Sequence, residues 1–81
     1  MNGEYDNSFE IRIDINNAGS LRSLTVVPLG NTFSILLNDI TIAQMERSQT
    51  NSGQWYLRFG NLSKEDQKKI ELAIDAYYTS R

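Results

Sequence analysis

Apolar and polar residues alternate in several separate stretches of the chain. In the first stretch, Phe9, Ile11, Ile13 and Ile15 are separated by polar residues, which is the period of a strand with one buried face. Later stretches repeat the alternation, and turn-forming residues separate them. We therefore predict five strands, near residues 8–15, 21–28, 32–37, 40–46 and 54–60.

The third and fourth predicted strands are joined by the dipeptide Asn-Asp at 38–39. A two-residue connection of this kind is typical of a β-hairpin. In such a hairpin Leu37 faces Ile40 and Ile35 faces Ile42, so both arms direct their apolar side chains to the same face of the sheet.

The fourth predicted strand has a break in its phase. Met45 lies three residues after Ile42, so the two side chains point to opposite faces of a regular strand. If both are buried, the strand contains one extra residue near Ala43 and Gln44. The sequence thus predicts a β-bulge in this strand.

The last segment has the spacing of an amphipathic helix over residues 64–79. Ser63 precedes Asp66 by three residues, which is a shortened form of the capping box that begins many helices. Leu72 lies away from the apolar stripe. The stripe recurs at spacings of three and four residues and contains Ile70, Ala73, Ile74 and Tyr77.

These elements predict an α+β fold, a five-stranded antiparallel meander packed on one C-terminal α-helix. A chain of 81 residues is too short to stabilise two separate cores, so we predict one domain over 1–81. Within it, 8–60 form the sheet, 64–79 form the helix, and 1–7 are flexible.

The order of apolar positions from 33 to 78 resembles that of a group of small, uncharacterised bacterial domains. In that group a Phe-x-Ile/Val-x-Leu hairpin precedes a tryptophan strand and a C-terminal helix. The resemblance implies an antiparallel meander followed by a helix, and it implies no activity and no site residues. The matching positions are Phe33, Ile35, Leu37, Ile42, Met45, Trp55, Ile70 and Ile74.

The charge balance disfavours a role in binding nucleic acid. Eight Lys and Arg residues against ten Asp and Glu give a net charge of −2, whereas nucleic-acid binders concentrate positive charge against phosphates. The first ten residues show no basic segment followed by an apolar run, and no stretch approaches the roughly 18 apolar residues of a membrane span. We expect a cytoplasmic protein with no membrane association.

The chain contains neither cysteine nor histidine. The commonest general base, the commonest nucleophile–base pairs and thiolate zinc sites are therefore excluded. We predict no catalytic residue, no metal site and no cofactor. The acidic residues that remain are expected to lie on a solvated, charge-balanced surface: Glu10, Asp14, Glu65, Asp66, Glu71 and Asp75.

The fifth predicted strand is rich in aromatic residues, which raises the question of a stacking surface. Trp55, Leu57 and Phe59 share one phase, and we assign them to the core. Tyr56 and Arg58 lie on the opposite face, where a partner could reach them.

No sequence feature identifies a ligand or a protein partner. We predict a small non-enzymatic interaction module that works through its sheet face or an exposed strand edge. One helix is too narrow to cover five strands, so either the sheet coils tightly around the helix or a second copy covers the remaining apolar surface, and we favour the homodimer. The alternative is a small-molecule or nucleic-acid binder that uses the outer sheet face around Tyr56 and Arg58. The predicted partner contacts are Tyr56, Arg58, Leu36, Val27 and Leu72.

Overall fold

A computed structural model describes residues 7–48, 50 and 53–80. Five strands form one antiparallel sheet in the order of the chain, and a single helix follows them. The α+β meander predicted from the sequence is confirmed, while most of the segment predicted to be flexible, residues 1–6, lies outside the described residues. The elements are β1 Phe9–Ile13, a short 3-10 turn Ile15–Asn17, β2 Arg22–Leu29, β3 Thr32–Leu37, β4 Ile40–Arg47, β5 Trp55–Gly60 and α1 Lys64–Thr79.

The β3–β4 hairpin has the predicted two-residue turn. Asn38 and Asp39 both have positive φ, at 54° and 68°, which matches the type I′ turn that suits the twist of two paired strands. Leu37 pairs with Ile40 as predicted, but Ile35 pairs with Ala43. The prediction that Ile35 faces Ile42 is therefore wrong, because β4 contains its extra residue at this point.

The first bulge lies at Ile42. Leu36 pairs with Thr41 and Ile35 pairs with Ala43, so Ile42 has no partner of its own in β3. The extra residue reverses the phase of the strand beyond it, so Ala43 and Met45 point to the core beside Ile35 and Phe33, and both are fully buried. The predicted bulge is confirmed, one residue before its expected position, and Ile42 itself is half-buried.

A second bulge in β5 is not visible in the sequence. Gln44 pairs with Phe59 and Met45 pairs with Leu57, so Arg58 is the extra residue. Because a bulge reverses the phase of the strand beyond it, Phe59 shares the face of Gln44 and not that of Leu57. Phe59 is 56% exposed. Its assignment to the core is wrong.

The core lies between the sheet and α1. Tyr77 of the helix stacks on Phe9 of β1 with the ring centroids 3.7 Å apart, and Leu72 is 58% exposed, as its place off the stripe predicts. Trp55 and Leu57 are half-buried and pack against this core. The buried apolar residues are Phe9, Ile11, Ile13, Leu24, Val26, Phe33, Ile35, Ala43, Met45, Ile70 and Ile74.

The N-terminus of α1 is joined to the turn after β1 by a buried carboxylate. Ser63 caps the helix by accepting the Asp66 N–H at 3.1 Å. The Asp66 carboxylate accepts the Asn16 N–H with both oxygens at 3.2 Å, and Asp66 is only 2% exposed. The expectation that every acidic residue is solvated is wrong for Asp66, because its carboxylate satisfies a backbone donor of the adjacent turn.

Lys69 reinforces the same junction. Its ammonium group donates to the Asp14 carbonyl oxygen at 2.8 Å and to Asn17 Oδ1 at 2.9 Å, while Asn17 Nδ2 donates to Glu65 at 3.2 Å. Three side chains of α1, those of Glu65, Asp66 and Lys69, therefore bind the turn after β1.

We predict that Gly60→Ala destabilises the fold by about 3–5 kcal/mol. Gly60 has φ of +98° and pairs with Ala43 beside the first bulge, so a Cβ would meet the Ile42 carbonyl oxygen and lie 2.8 Å from the Ala43 Cα. Neither backbone group can move without disturbing the bulge. Urea denaturation of the two proteins measures the difference.

Gly19→Ala is the matched control for this prediction. Gly19 has almost the same φ, +94°, but a Cβ there meets nothing within 4 Å. We expect a cost of about 1–2 kcal/mol, from the backbone conformation alone. Equal losses in the two variants would show that the close approach at Gly60 is unimportant.

Asp66→Ala should lower the free energy of unfolding by about 2–3 kcal/mol, because it leaves the Asn16 N–H without its charged acceptor. Asp66→Asn keeps one acceptor oxygen and should lose roughly half as much. Asp75→Ala, which removes a partly exposed ion pair with Arg47, is the control and should cost less than about 1 kcal/mol. The contact would be judged unimportant if Asp66→Ala and Asp75→Ala had the same unfolding midpoint.

Candidate interaction surface

The face of the sheet turned away from α1 is here called the outer face. Its centre is a row of side chains that crosses four strands, because Val27 pairs with Ser34, Ser34 with Gln44, and Gln44 with Phe59. Gln44 Nε2 donates to Ser34 Oγ at 3.3 Å, which confirms that the two side chains share a face. Val27 and Phe59 lie at the two ends of this row.

A second row lies nearer the β2–β3 turn. Leu29 pairs with Thr32, Thr32 with Glu46, and Glu46 with Tyr56. Arg58, the bulge residue of β5, donates to Glu46 Oε1 at 2.7 Å and so also points outward. The guanidinium group is thereby placed on the same face as Tyr56 and Phe59.

The outer face has an uncharged centre and charged margins. Leu36 lies between Thr25 and Thr41 in a third row, and the three are uncharged. Glu10 and Arg12 lie on β1 at one margin, and the Glu46–Arg58 ion pair lies at the other. Each margin therefore carries one acid and one base.

Four of the five residues predicted to contact a partner lie on this face. The strand register brings together Tyr56, Arg58, Leu36 and Val27. Leu72 is the exception, because it lies on α1, the helix that packs against the opposite face of the sheet. Phe59 was not among the predicted contacts, because its alternation with Trp55 and Leu57 is regular in the sequence and only the pairing with β4 reveals the bulge.

Trp55 does not belong to the outer face. The Arg47 guanidinium lies 4.8 Å from the centroid of the Trp55 ring and forms an ion pair with Asp75 of α1, while Phe33 packs against the same ring at 5.3 Å. The indole is thus covered by a cation that the helix holds in place. Trp55 is a packing residue at the margin of the core and not a surface for stacking a ligand.

The Glu71 carboxyl of α1 lies near the charges of Lys68 and Asp75. Burial raises the pKa of the Glu71 carboxyl above its ordinary value, an effect that Lys68 opposes and Asp75 reinforces. In the part of the chain that the structure describes, no three acidic side chains come together as metal ligands.

Comparisons of this chain with protein-family models, curated proteins and solved structures found no match. The resemblance to small bacterial domains stays a prediction. Among the described residues, α1 is too short and too polar to cross a membrane.

We predict that Phe59→Ser changes the free energy of unfolding by less than about 0.5 kcal/mol, because the ring is exposed. Leu57→Ser, two positions away and packed against the core, should cost about 2 kcal/mol. Thermal unfolding at low micromolar protein compares the two variants. A greater loss for Phe59→Ser than for Leu57→Ser would place Phe59 inward and contradict the second bulge.

Proposed function

We propose that this protein is a small non-enzymatic interaction module that pairs with a second copy of itself through the outer face. The observation that supports the proposal is the second bulge of β5, which turns Phe59 out of the core and leaves it 56% exposed next to Tyr56. A large apolar ring on an open sheet face adds nothing to the stability of a single chain. Contact with a second surface would bury it.

The distribution of charge favours a second copy as the partner. Protein interfaces commonly have an uncharged centre and a polar rim, and the outer face follows this plan, with Leu36 at its centre and Val27 in its uncharged part. Two copies can face each other across a two-fold axis that lies between the two outer faces and runs parallel to the strands. In this arrangement the β1 margin of each copy lies over the β5 margin of the other. Because each margin carries one acid and one base, the charges can pair in that arrangement.

The size of the face sets the expected strength of the contact. Five strands about 4.8 Å apart, each some six residues long, form a face of roughly 20 by 20 Å. Two such faces bury roughly 800 Å² in total, which is below the range of stable interfaces and typical of weak, transient contacts, so we expect a dimer with a dissociation constant in the micromolar range.

The mass in solution tests this proposal. At tens of micromolar protein, light scattering during size exclusion should give a mass near twice the 9.3 kDa of one chain, and dilution should return it to the mass of one chain. Phe59→Glu should give the single-chain mass at every concentration, because it removes the apolar ring and places a charge within the contact. Its far-UV circular dichroism should be unchanged.

Leu72→Glu is the matched control, since it places the same charge on an equally exposed apolar residue outside the outer face. It should dimerise like the parent protein. A parent mass of 9.3 kDa at tens of micromolar refutes the dimer. If that single chain bound single-stranded RNA tightly at low salt, and Tyr56→Ala removed the binding, nucleic-acid stacking on the outer face would replace the present proposal.

A further inference from the structure

A second surface lies at the opposite side of the molecule, where β1 forms one edge of the sheet. β1 pairs with β2 and, within the described residues, with no other strand. The backbone groups on its other side therefore pair with no strand in the part of the chain that the structure describes. An edge of this kind can accept a further strand.

A groove of about 370 Å³ lies beside this edge, between β1 and α1. Its apolar walls include Ile13 of β1, Leu21 before β2, and Leu72 of the helix. Leu21 is 65% exposed and Leu72 is 58% exposed. Two of the exposed leucines of this small domain thus converge on one depression, which is large enough for a bulky apolar side chain.

Three charged residues line the same groove, and two of them are already engaged. Lys69 donates to the Asp14 carbonyl oxygen and to Asn17, and the Asp14 carboxylate accepts the Gly19 N–H with both oxygens. Arg12 forms no ion pair with any described residue. The residues that line the groove therefore include two bases and one acid, in a chain whose net charge is −2, and among the described residues the Arg12 guanidinium has no acidic partner.

We propose that this groove binds an extended acidic–apolar peptide segment that adds to β1 as a sixth strand. One large apolar side chain of the peptide fills the space between Leu21 and Leu72, and an Asp or Glu of the peptide pairs with Arg12. Arg12 and Ile13 both line the groove, but as neighbours in β1 they point to opposite faces of the sheet, with Arg12 exposed and Ile13 buried. Adjacent residues of a strand point to opposite faces, so the acidic and the apolar residue of the peptide must be an odd number of positions apart, as direct neighbours are.

The test uses fluorescein-labelled peptides whose sequences alternate as this geometry requires. The peptide Thr-Val-Glu-Leu-Glu-Val-Thr should bind the full chain in an anisotropy titration, and the same peptide with both Glu replaced by Lys should bind about tenfold more weakly or worse. Hydrogen exchange of β1 amides should slow when the first peptide is bound.

Variants of the protein assign the binding to the groove. Arg12→Glu and Leu72→Glu should each weaken binding of the acidic peptide by about tenfold or more, and Arg12→Glu should bind the lysine peptide more tightly than the parent does. Lys68→Glu, a charge reversal on the same helix outside the groove, should change the affinity by less than about twofold. Phe59→Glu should bind like the parent, which separates this site from the outer face.

Three results would overturn the proposal. The first is no binding of the acidic peptide up to about 1 mM, which is weaker than specific peptide recognition needs. The second is binding that Phe59→Glu removes while Arg12→Glu and Leu72→Glu retain it, because the site then lies on the outer face. The third is loss of self-association in Leu72→Glu when the parent protein binds no peptide, because a second copy of the chain then occupies the groove.

Discussion

The fold depends on how one helix can close one face of a five-stranded sheet. Five strands about 4.8 Å apart make a sheet roughly 20 Å wide, whereas a helix with its side chains is only about 10–12 Å wide. Two bulges, at Ile42 of β4 and Arg58 of β5, bend and twist the last strands toward the helix. The inner face is thereby buried across β1 to β4, from Phe9 on the first strand to Met45 on the fourth. Arg47 covers Trp55 at the margin of this face.

The position of the helix is set at the other side of the sheet. Asp66 and Lys69 hold the turn after β1, and the stacking of Tyr77 on Phe9 fixes the far end of the helix over the same strand. Because the helix is anchored over β1, the β4–β5 side must bend to reach it. Gly60 has no Cβ, and this allows β5 to come close to the Ile42–Ala43 backbone.

The sequence predicts features that depend on neighbouring residues and misses those that depend on a paired strand. The five strands, the Asn38–Asp39 turn and the Ser63 cap are encoded locally, and the bulge at Ile42 could be inferred because Met45 breaks the apolar phase. The bulge at Arg58 leaves no such break, since Trp55, Leu57 and Phe59 alternate regularly. Tyr56, Arg58, Leu36 and Val27 could be placed on the outer face from their phase, but Phe59 could not. The burial of Asp66 was missed for a related reason, because its partner Asn16 lies 50 residues away in the chain.

The bulge that helps to close the core also determines what the opposite face presents. Reversing the phase of β5 after Leu57 removes an aromatic ring from the inner face, where a bent strand has less room, and places it beside Tyr56 and Arg58. A polar residue at position 59 would satisfy the same geometry without exposing a ring to water, and β5 has no need of phenylalanine at that position for its own packing. The exposed ring therefore contributes little to the stability of the isolated chain, since it is exposed to water before and after folding. Its burial by another surface would contribute up to about 2 kcal/mol, which is the physical basis of the proposed contact.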